Sequence, residues 1–196
     1  MSSSYGQLLK DMEVGLEEGE SPVRVFLHEK FGVMTKNVGR SNHSWDLEVI
    51  GVDEDLIQSW NKGINVKNVE KRFINKLGRT FEVKRDKASD KTNNFFYEVW
   101  SSFKVNNPGC VNYSKADTLV IVRQKEFIFI DRGILISWII ENLFSNTEKG
   151  ISWRKRTGNR VNKPTMRTSR HNQDVCGILI PIDDIKECYS AVVFER

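Results

Sequence analysis

The sequence predicts a single domain of the α+β or α/β class, with helices packed on a mixed β-sheet. Three observations predict it. A length of 196 residues suits one domain with a genuine hydrophobic core. A composition of 39% apolar, 10% aromatic and 29% charged residues excludes disordered, collagen-like and low-complexity chains. Helical and strand periodicities follow one another as helix, helix, several strands, helix and strands. No internal repeat and no apolar-poor linker divides the chain into two domains.

Tyr5, Leu8, Leu9, Met12 and Leu16 share one helical face, and Gly19 is expected to close that helix. Ser21-Pro22 reads as an N-cap followed by proline at the first helical position. It opens a second helix carrying Val23, Phe26 and Leu27 and ending near Phe31-Gly32. Residues 33–44 are polar and turn-rich, 45–52 read as a strand, and 53–60 as a short helix. Val66, Val69, Phe73 and Leu77 form one helical face, with Gly78 as the stop signal. Residues 80–85 and 95–101 read as strands, and Asn106-Asn107-Pro108-Gly109 as a turn. Residues 118–122 and 127–131 form a hairpin around Gln124-Lys125, followed by an apolar helix over 133–144. A strand over 175–182, a short helix over 183–188 and a last strand over 191–194 complete the chain.

No apolar run is long enough to span a bilayer, and the first 20 residues lack the pattern of a signal peptide. Cys110, Cys176 and Cys188 are odd in number and widely spaced. They suggest free thiols in a reducing, cytoplasmic setting, not a disulfide frame or a zinc cluster. The net charge of +4 is unevenly spread. Residues 147–172 hold eight Lys or Arg against one acid, so this segment carries +7 and the other residues sum to −3. The segment has no clear periodicity and is expected to be a basic loop. Its charge suggests a polyanionic partner such as nucleic acid, although a solvated surface loop explains charge alone equally well.

Phosphate-loop, dinucleotide-binding, zinc-protease and serine-elbow motifs are absent. His28, His43 and His171 lie in different segments and read as surface or structural residues. What remains is a set of carboxylates with a lysine. Asp46 opens one strand, and Glu82-Val83-Lys84 lies in the next. Residues i and i+2 of a strand share a face, so Glu82 and Lys84 project together. If the two strands pair, Asp46 approaches Glu82. Two carboxylates and a backbone carbonyl make a hard-oxygen site suited to Mg²⁺ or Mn²⁺. The spacing alone is weak, because Asp184-Ile185-Lys186 matches it too, on an expected helix. A solvated strand face with a weak ion pair is the plain alternative.

In this context the chain resembles the PD-(D/E)XK nuclease superfamily, in particular small phage and archaeal-virus nucleases related to Holliday-junction resolvases. Trp45-Asp46-Leu47 resembles the metal-binding Asp motif, and Glu82-Val83-Lys84 the (D/E)XK half. Residues 91–98, ending in Glu98, resemble the turn and Glu-bearing strand that follow the catalytic strand. Ser114-Lys115-Ala116-Asp117 resembles the Ala-Asp step before the next strand. Trp45 stands in place of the usual proline, and Asn93 where glycine is common. Asp53 and Asp55 are substitute carboxylates near Asp46.

The resemblance implies an α/β fold with a mixed central sheet flanked by helices, a restriction-endonuclease-like core. It implies a Mg²⁺- or Mn²⁺-dependent DNA endonuclease leaving 5′-phosphate ends, phage- or virus-encoded and acting in the host cytoplasm. Asp46, Glu82 and the Val83 carbonyl would hold the metal, and Lys84 would assist the attacking water. Glu29, from an early helix, and Glu98 are further candidates for the metal site. Lys149, Trp153, Arg154, Lys155, Arg156, Arg160, Lys163, Arg167 and Arg170 would contact duplex or branched DNA, cations on phosphates and the indole on an exposed base. Trp153 as an anchor of the loop to the core is equally compatible. One rival is a junction resolvase of the same superfamily, acting as a homodimer. Another is a non-catalytic nucleic-acid-binding protein on a nuclease-like fold. A third is an interaction protein whose basic loop binds RNA or an acidic protein.

Overall fold

The structure is a computed structural model, and it describes residues 16–38, 44–60, 63–102, 107–144, 165–168 and 174–196. Its helices are α1 (Ser21–Phe31), α2 (Glu54–Trp60), α3 (Val66–Leu77), α4 (Lys87–Thr92), α5 (Cys110–Tyr113), α6 (Arg132–Ile139) and α7 (Ile182–Lys186). Its strands are β1 (Val33–Asn37), β2 (Leu47–Val52), β3 (Thr80–Arg85), β4 (Asn94–Ser102), β5 (Asn107–Pro108), β6 (Thr118–Val122), β7 (Glu126–Asp131), β8 (Thr165–Thr168), β9 (Asp174–Pro181) and β10 (Val192–Glu195). The fold is α/β, with a mixed six-stranded sheet in the order β1-β2-β3-β6-β7-β10. A second sheet, in the order β5-β4-β9-β8, accompanies it. The chain divides into two compact units, Met1–Arg85 with Lys115–Val122, and Asp86–Ser114 with Arg123–Arg196.

In the first unit, Gly19 does not close a helix. A π-helical turn, Leu16–Glu20, runs straight into α1, because Glu20 itself has helical dihedrals (φ −65°, ψ −46°). Gly19 is buried against β3, where an added Cβ would lie 3.5 Å from Val83 Cγ1 and Arg85 Cβ. Packing thus carries the helix through a residue whose local preference is to end it. Pro22 sits in the first turn, where its missing N–H costs little. Gly32 ends α1 in the left-handed region (φ 66°), donating to the His28 carbonyl at 2.8 Å.

Residues 33–37, expected to be irregular, form β1. Val33 and Thr35 are buried while Met34 and Lys36 face outward. Antiparallel pairing from Val33↔Val52 to Asn37↔Leu47 fixes that alternation. α3 has the expected bounds and buries Phe73 and Leu77. The Phe73 ring packs at a tilt against Phe31 and Phe81, with centroids 5.4 and 6.3 Å away. β3 has the expected bounds too, antiparallel to β2 and parallel to β6. Its entry is tied by Asp117, whose Oδ2 accepts from the Arg79 and Thr80 amides at 2.8 and 3.0 Å. Leu47, Val49, Phe81 and Leu119 to Val122 of β6 belong to the apolar core of this unit.

In the second unit, β4 pairs with β9 from Asn94↔Pro181 onward. Asn93 enters β4 in the left-handed conformation (φ 52°), so an asparagine does there what glycine does more easily. β7 pairs antiparallel with β10. Arg123 N donates to the Glu126 carbonyl at 2.9 Å and closes the turn at Gln124-Lys125. α6 and a following π-helical turn, Ile140–Phe144, fill the expected apolar helix and bury Leu135 and Ile139. Part of the expected basic loop is a strand: β8 pairs with β9 from Thr165↔Gly177 to Thr168↔Asp174. The ladder with β9, not any local pattern, makes it one.

Candidate active site

The candidate site arises where β2 departs from β3. Their ladder holds Leu47↔Phe81 and Glu48↔Thr80. Asp46, one residue before β2, still donates its amide to the Phe81 carbonyl at 2.9 Å. Beyond it, no β2 residue faces Val83. The Asp46 side chain takes that place, and its Oδ2 accepts from Val83 N at 2.7 Å. A strand residue's N–H and C=O point to the same flank, so the Val83 carbonyl faces the Asp46 side too. Glu82 and Lys84 project together as the alternation requires, with Lys84 Nζ 2.6 Å from Glu82 Oε1. Glu82 is only 6% exposed, so it is no solvated strand carboxylate. Asp46, Glu82, Val83 and Lys84 are therefore brought together, even though α2 and α3 intervene between the two strands.

The charges in this corner are poorly balanced. Burial pushes the Asp46 carboxyl above its ordinary range, and the Glu82 carboxylate pushes it further. Lys84 and the Val83 amide oppose that rise without cancelling it. A third acid joins them. Burial and then Asp46 push Glu20 upward as well, against a hydrogen bond from Asn37 and the charge of Lys84. Three carboxylates facing one lysine carry a formal charge of −2 when ionised, which in a low-dielectric site invites a cation. The donors are all oxygens, the ligand type that suits Mg²⁺ or Mn²⁺. Among the described residues, no three Asp, Glu, His or Cys side chains are already gathered around one point. The donor chemistry fits a hard divalent ion, while a finished cage is not preformed.

Glu20, and not Glu29, is the helical acid that feels the charges of Asp46, Lys84 and Glu82. Glu29 is exposed on α1. Nine helical residues from Glu20 correspond to about 13 Å along the axis and to the opposite face. The signal for Glu20 was present: Glu20, Val23 and Leu27 lie at i, i+3 and i+7, and both apolar members are fully buried. An acid on the buried stripe of a helix marks a special position. Gly19 masks that stripe in the sequence, because glycine's local preference is to end a helix.

Glu98 is not on a strand beside Glu82. It lies on β4, opposite Gly177 of β9, whereas the neighbours of β3 are β2 and β6. Sheet membership is non-local, so adjacency in sequence misplaced it. Asp53 has a structural task. Its Oδ1 accepts from Leu56 N at 3.0 Å at the start of α2, and its Oδ2 lies 2.9 Å from His28 Nε2. These contacts hold its carboxyl below the usual range, the Leu56 amide most of all. Asp55 is exposed in the first turn of α2. Asp184 lies on α7, as expected. Arg167 lies in β8, its backbone opposite Val175. Lys149, Trp153, Arg154, Lys155, Arg156, Arg160, Lys163 and Arg170 lie outside the described residues, as do His43, His171 and the expected helix before Leu16.

Comparison with family models, with curated proteins and with solved structures finds no match to this chain. Among the described residues, no helix is long and apolar enough to cross a membrane.

Proposed function

We propose that this chain is a Mg²⁺- or Mn²⁺-dependent DNA endonuclease of the PD-(D/E)XK type, hydrolysing phosphodiester bonds to 5′-phosphate ends. One observation carries the reading. Asp46 is hydrogen-bonded to the backbone of the strand that holds the buried Glu82 and its partner Lys84. A plain structural ion pair has no need of a second, half-buried carboxylate beside it, still less of a third from Glu20, because each addition raises the cost of ionisation. Acids whose ionisation is opposed by burial and by a neighbouring carboxylate, as Asp46 and Glu20 are, concentrate at functional sites.

Asp46, Glu82 and the Val83 carbonyl would hold the metal, with Glu20 as the helix-borne acid. A divalent cation bound there supplies Lewis-acid polarisation of a phosphoryl oxygen and acidifies a water. Lys84 is 30% exposed, open enough to meet a phosphate while paired with Glu82. Its ammonium orients the attacking water and offsets charge on the pentavalent transition state. The +7 segment over 147–172 supplies sequence-independent attraction to the DNA backbone.

The test is incubation with supercoiled plasmid, single-stranded DNA and a four-way junction, with Mg²⁺, Mn²⁺ or EDTA. Metal-dependent cleavage abolished by EDTA is expected. Binding without cleavage under every metal condition would overturn the enzymatic reading and leave a nucleic-acid-binding protein. Strong junction preference together with a dimer in solution would narrow the reading to a resolvase.

A further inference from the structure

Arg24, Asn37 and Glu20 form a side-chain relay that ends at the candidate site. Arg24 Nη1 donates to Asn37 Oδ1 at 2.7 Å, and Asn37 Nδ2 donates to Glu20 Oε2. The orientation of the Asn37 amide is fixed by its partners. A guanidinium only donates, so Oδ1 must face Arg24. Nδ2 is then turned toward a carboxylate, which accepts. Asn37 ends β1, its backbone opposite Leu47, and the next residue, Val38, donates its amide to the Asp46 carbonyl at 3.0 Å. Asn37 is thus anchored to the residues bearing Asp46 while its side chain grips an acid on the neighbouring helix. It can hold Glu20 at a set distance from Asp46, which neither the helix nor the strand does alone.

We infer that Asn37 is a positioning residue: oriented by Arg24, it aims the Glu20 carboxylate into the site formed by Asp46 and Glu82. The inference rests on the reading of that site as a divalent-cation site. Free rotation of Glu20 about its three side-chain torsions would otherwise spread the carboxylate over many rotamers, and near like charges it would turn away. A hydrogen-bond donor placed behind it selects one rotamer. Outer partners of metal-binding carboxylates act in this way.

The experiment is calorimetric titration of Mn²⁺ alone into the wild type, Glu82→Gln, Asn37→Asp, Glu20→Gln and the Asn37→Asp/Glu20→Gln double variant. Asn37→Asp preserves shape and the acceptor for Arg24 but removes the donor to Glu20. It should weaken Mn²⁺ binding by about 10–100-fold. In the Glu20→Gln background the same change should have little further effect, because its target is gone. Asn37→Ala, followed by thermal melting, serves as a second variant in case the added charge of Asp disturbs folding, and its loss should likewise vanish in the Glu20→Gln background. Unchanged Mn²⁺ affinity in both Asn37 variants overturns the inference. So does a loss of equal size with and without Glu20, which would place the action of Asn37 elsewhere. Absence of Mn²⁺ binding by the wild type, or its survival in Glu82→Gln, overturns the metal-site reading itself and this inference with it.

Discussion

The Val83 amide donates to the Asp46 carboxylate at 2.7 Å on the flank of β3 that β2 has left. A side chain therefore fills a position in the ladder that a strand carbonyl would otherwise occupy. Asp46→Asn keeps an oxygen acceptor for Val83 but removes a charge that burial and Glu82 make costly. The variant should lose divalent-ion binding and cleavage while melting higher than the wild type in EDTA. A gain of about 1 kcal/mol corresponds to roughly 2–4 °C for a chain of this size. The pH dependence fixes the sign. Asp46 and Glu20 titrate above their ordinary values of 3.8 and 4.5, so the folded state holds protons that the unfolded state has released. Their ionisation opposes folding. The penalty is absent below the ordinary values, grows as pH rises past them, and is complete above the raised folded values. The stability advantage of Asp46→Asn in urea titrations should widen as pH rises from about 4. An advantage that shrinks with rising pH would contradict this.

Lys84 separates binding from chemistry. Lys84→Ala should lower the cleavage rate by about 10²-fold or more, as loss of a transition-state stabiliser does. Duplex affinity should stay within a few-fold, because one of many cations is lost. Some stability should also go, since Glu82 remains buried without the ammonium 2.6 Å away. Single-turnover kinetics and a binding titration on one substrate read both effects. A fully active variant would remove Lys84 from its role.

Gly78 guards the entry to β3. Its backbone sits at φ 77° and ψ −177°, and a Cβ there would fall 2.3 Å from Asp117 Cβ. Gly78→Ala should cost about 1–3 kcal/mol from backbone strain, and more from the clash with Asp117. Because Thr80–Arg85 follows directly, cleavage should fall with stability. Urea unfolding of the two proteins measures it, and equal stability would contradict the argument.

The basic segment makes its own prediction. Changing Arg154, Lys155 and Arg156 together to Ala removes up to three phosphate contacts. The slope of log K against log salt should fall by roughly two to three units. Mn²⁺ binding should persist, because Lys and Arg side chains are cations and do not ligate a divalent ion. An unchanged slope would show that DNA is carried elsewhere.

What was legible in the sequence follows from how local each signal is. Val66–Leu77 carries a full apolar face and a glycine stop, and it folds within those bounds. Asp46, Glu82 and Lys84 were legible because strand alternation and one strand pairing suffice to bring them together. β1 was not legible, since Thr35, Lys36 and Asn37 hide a period of two until β2 supplies a partner. α4 has no apolar face; it is set by the Asp86 side chain accepting from Ala88 N at 3.0 Å and by the left-handed Asn93. Glu20 and Glu98 show the same limit from opposite sides. Packing overrode a glycine to bring Glu20 in, and the ladder with β9 set the strand that bears Glu98.

Glu82→Gln tests the central claim most directly. It deletes one charged oxygen from the pair that Asp46 and Glu82 form and leaves the shape of the side chain unchanged. Mn²⁺ titrations and plasmid cleavage, run side by side on wild type and variant, read metal and chemistry separately. The account predicts that the wild type binds Mn²⁺ and cuts, and that Glu82→Gln loses most of the affinity and nearly all of the cutting. Equal Mn²⁺ affinity in the two proteins, or undiminished cleavage by the variant, would contradict it.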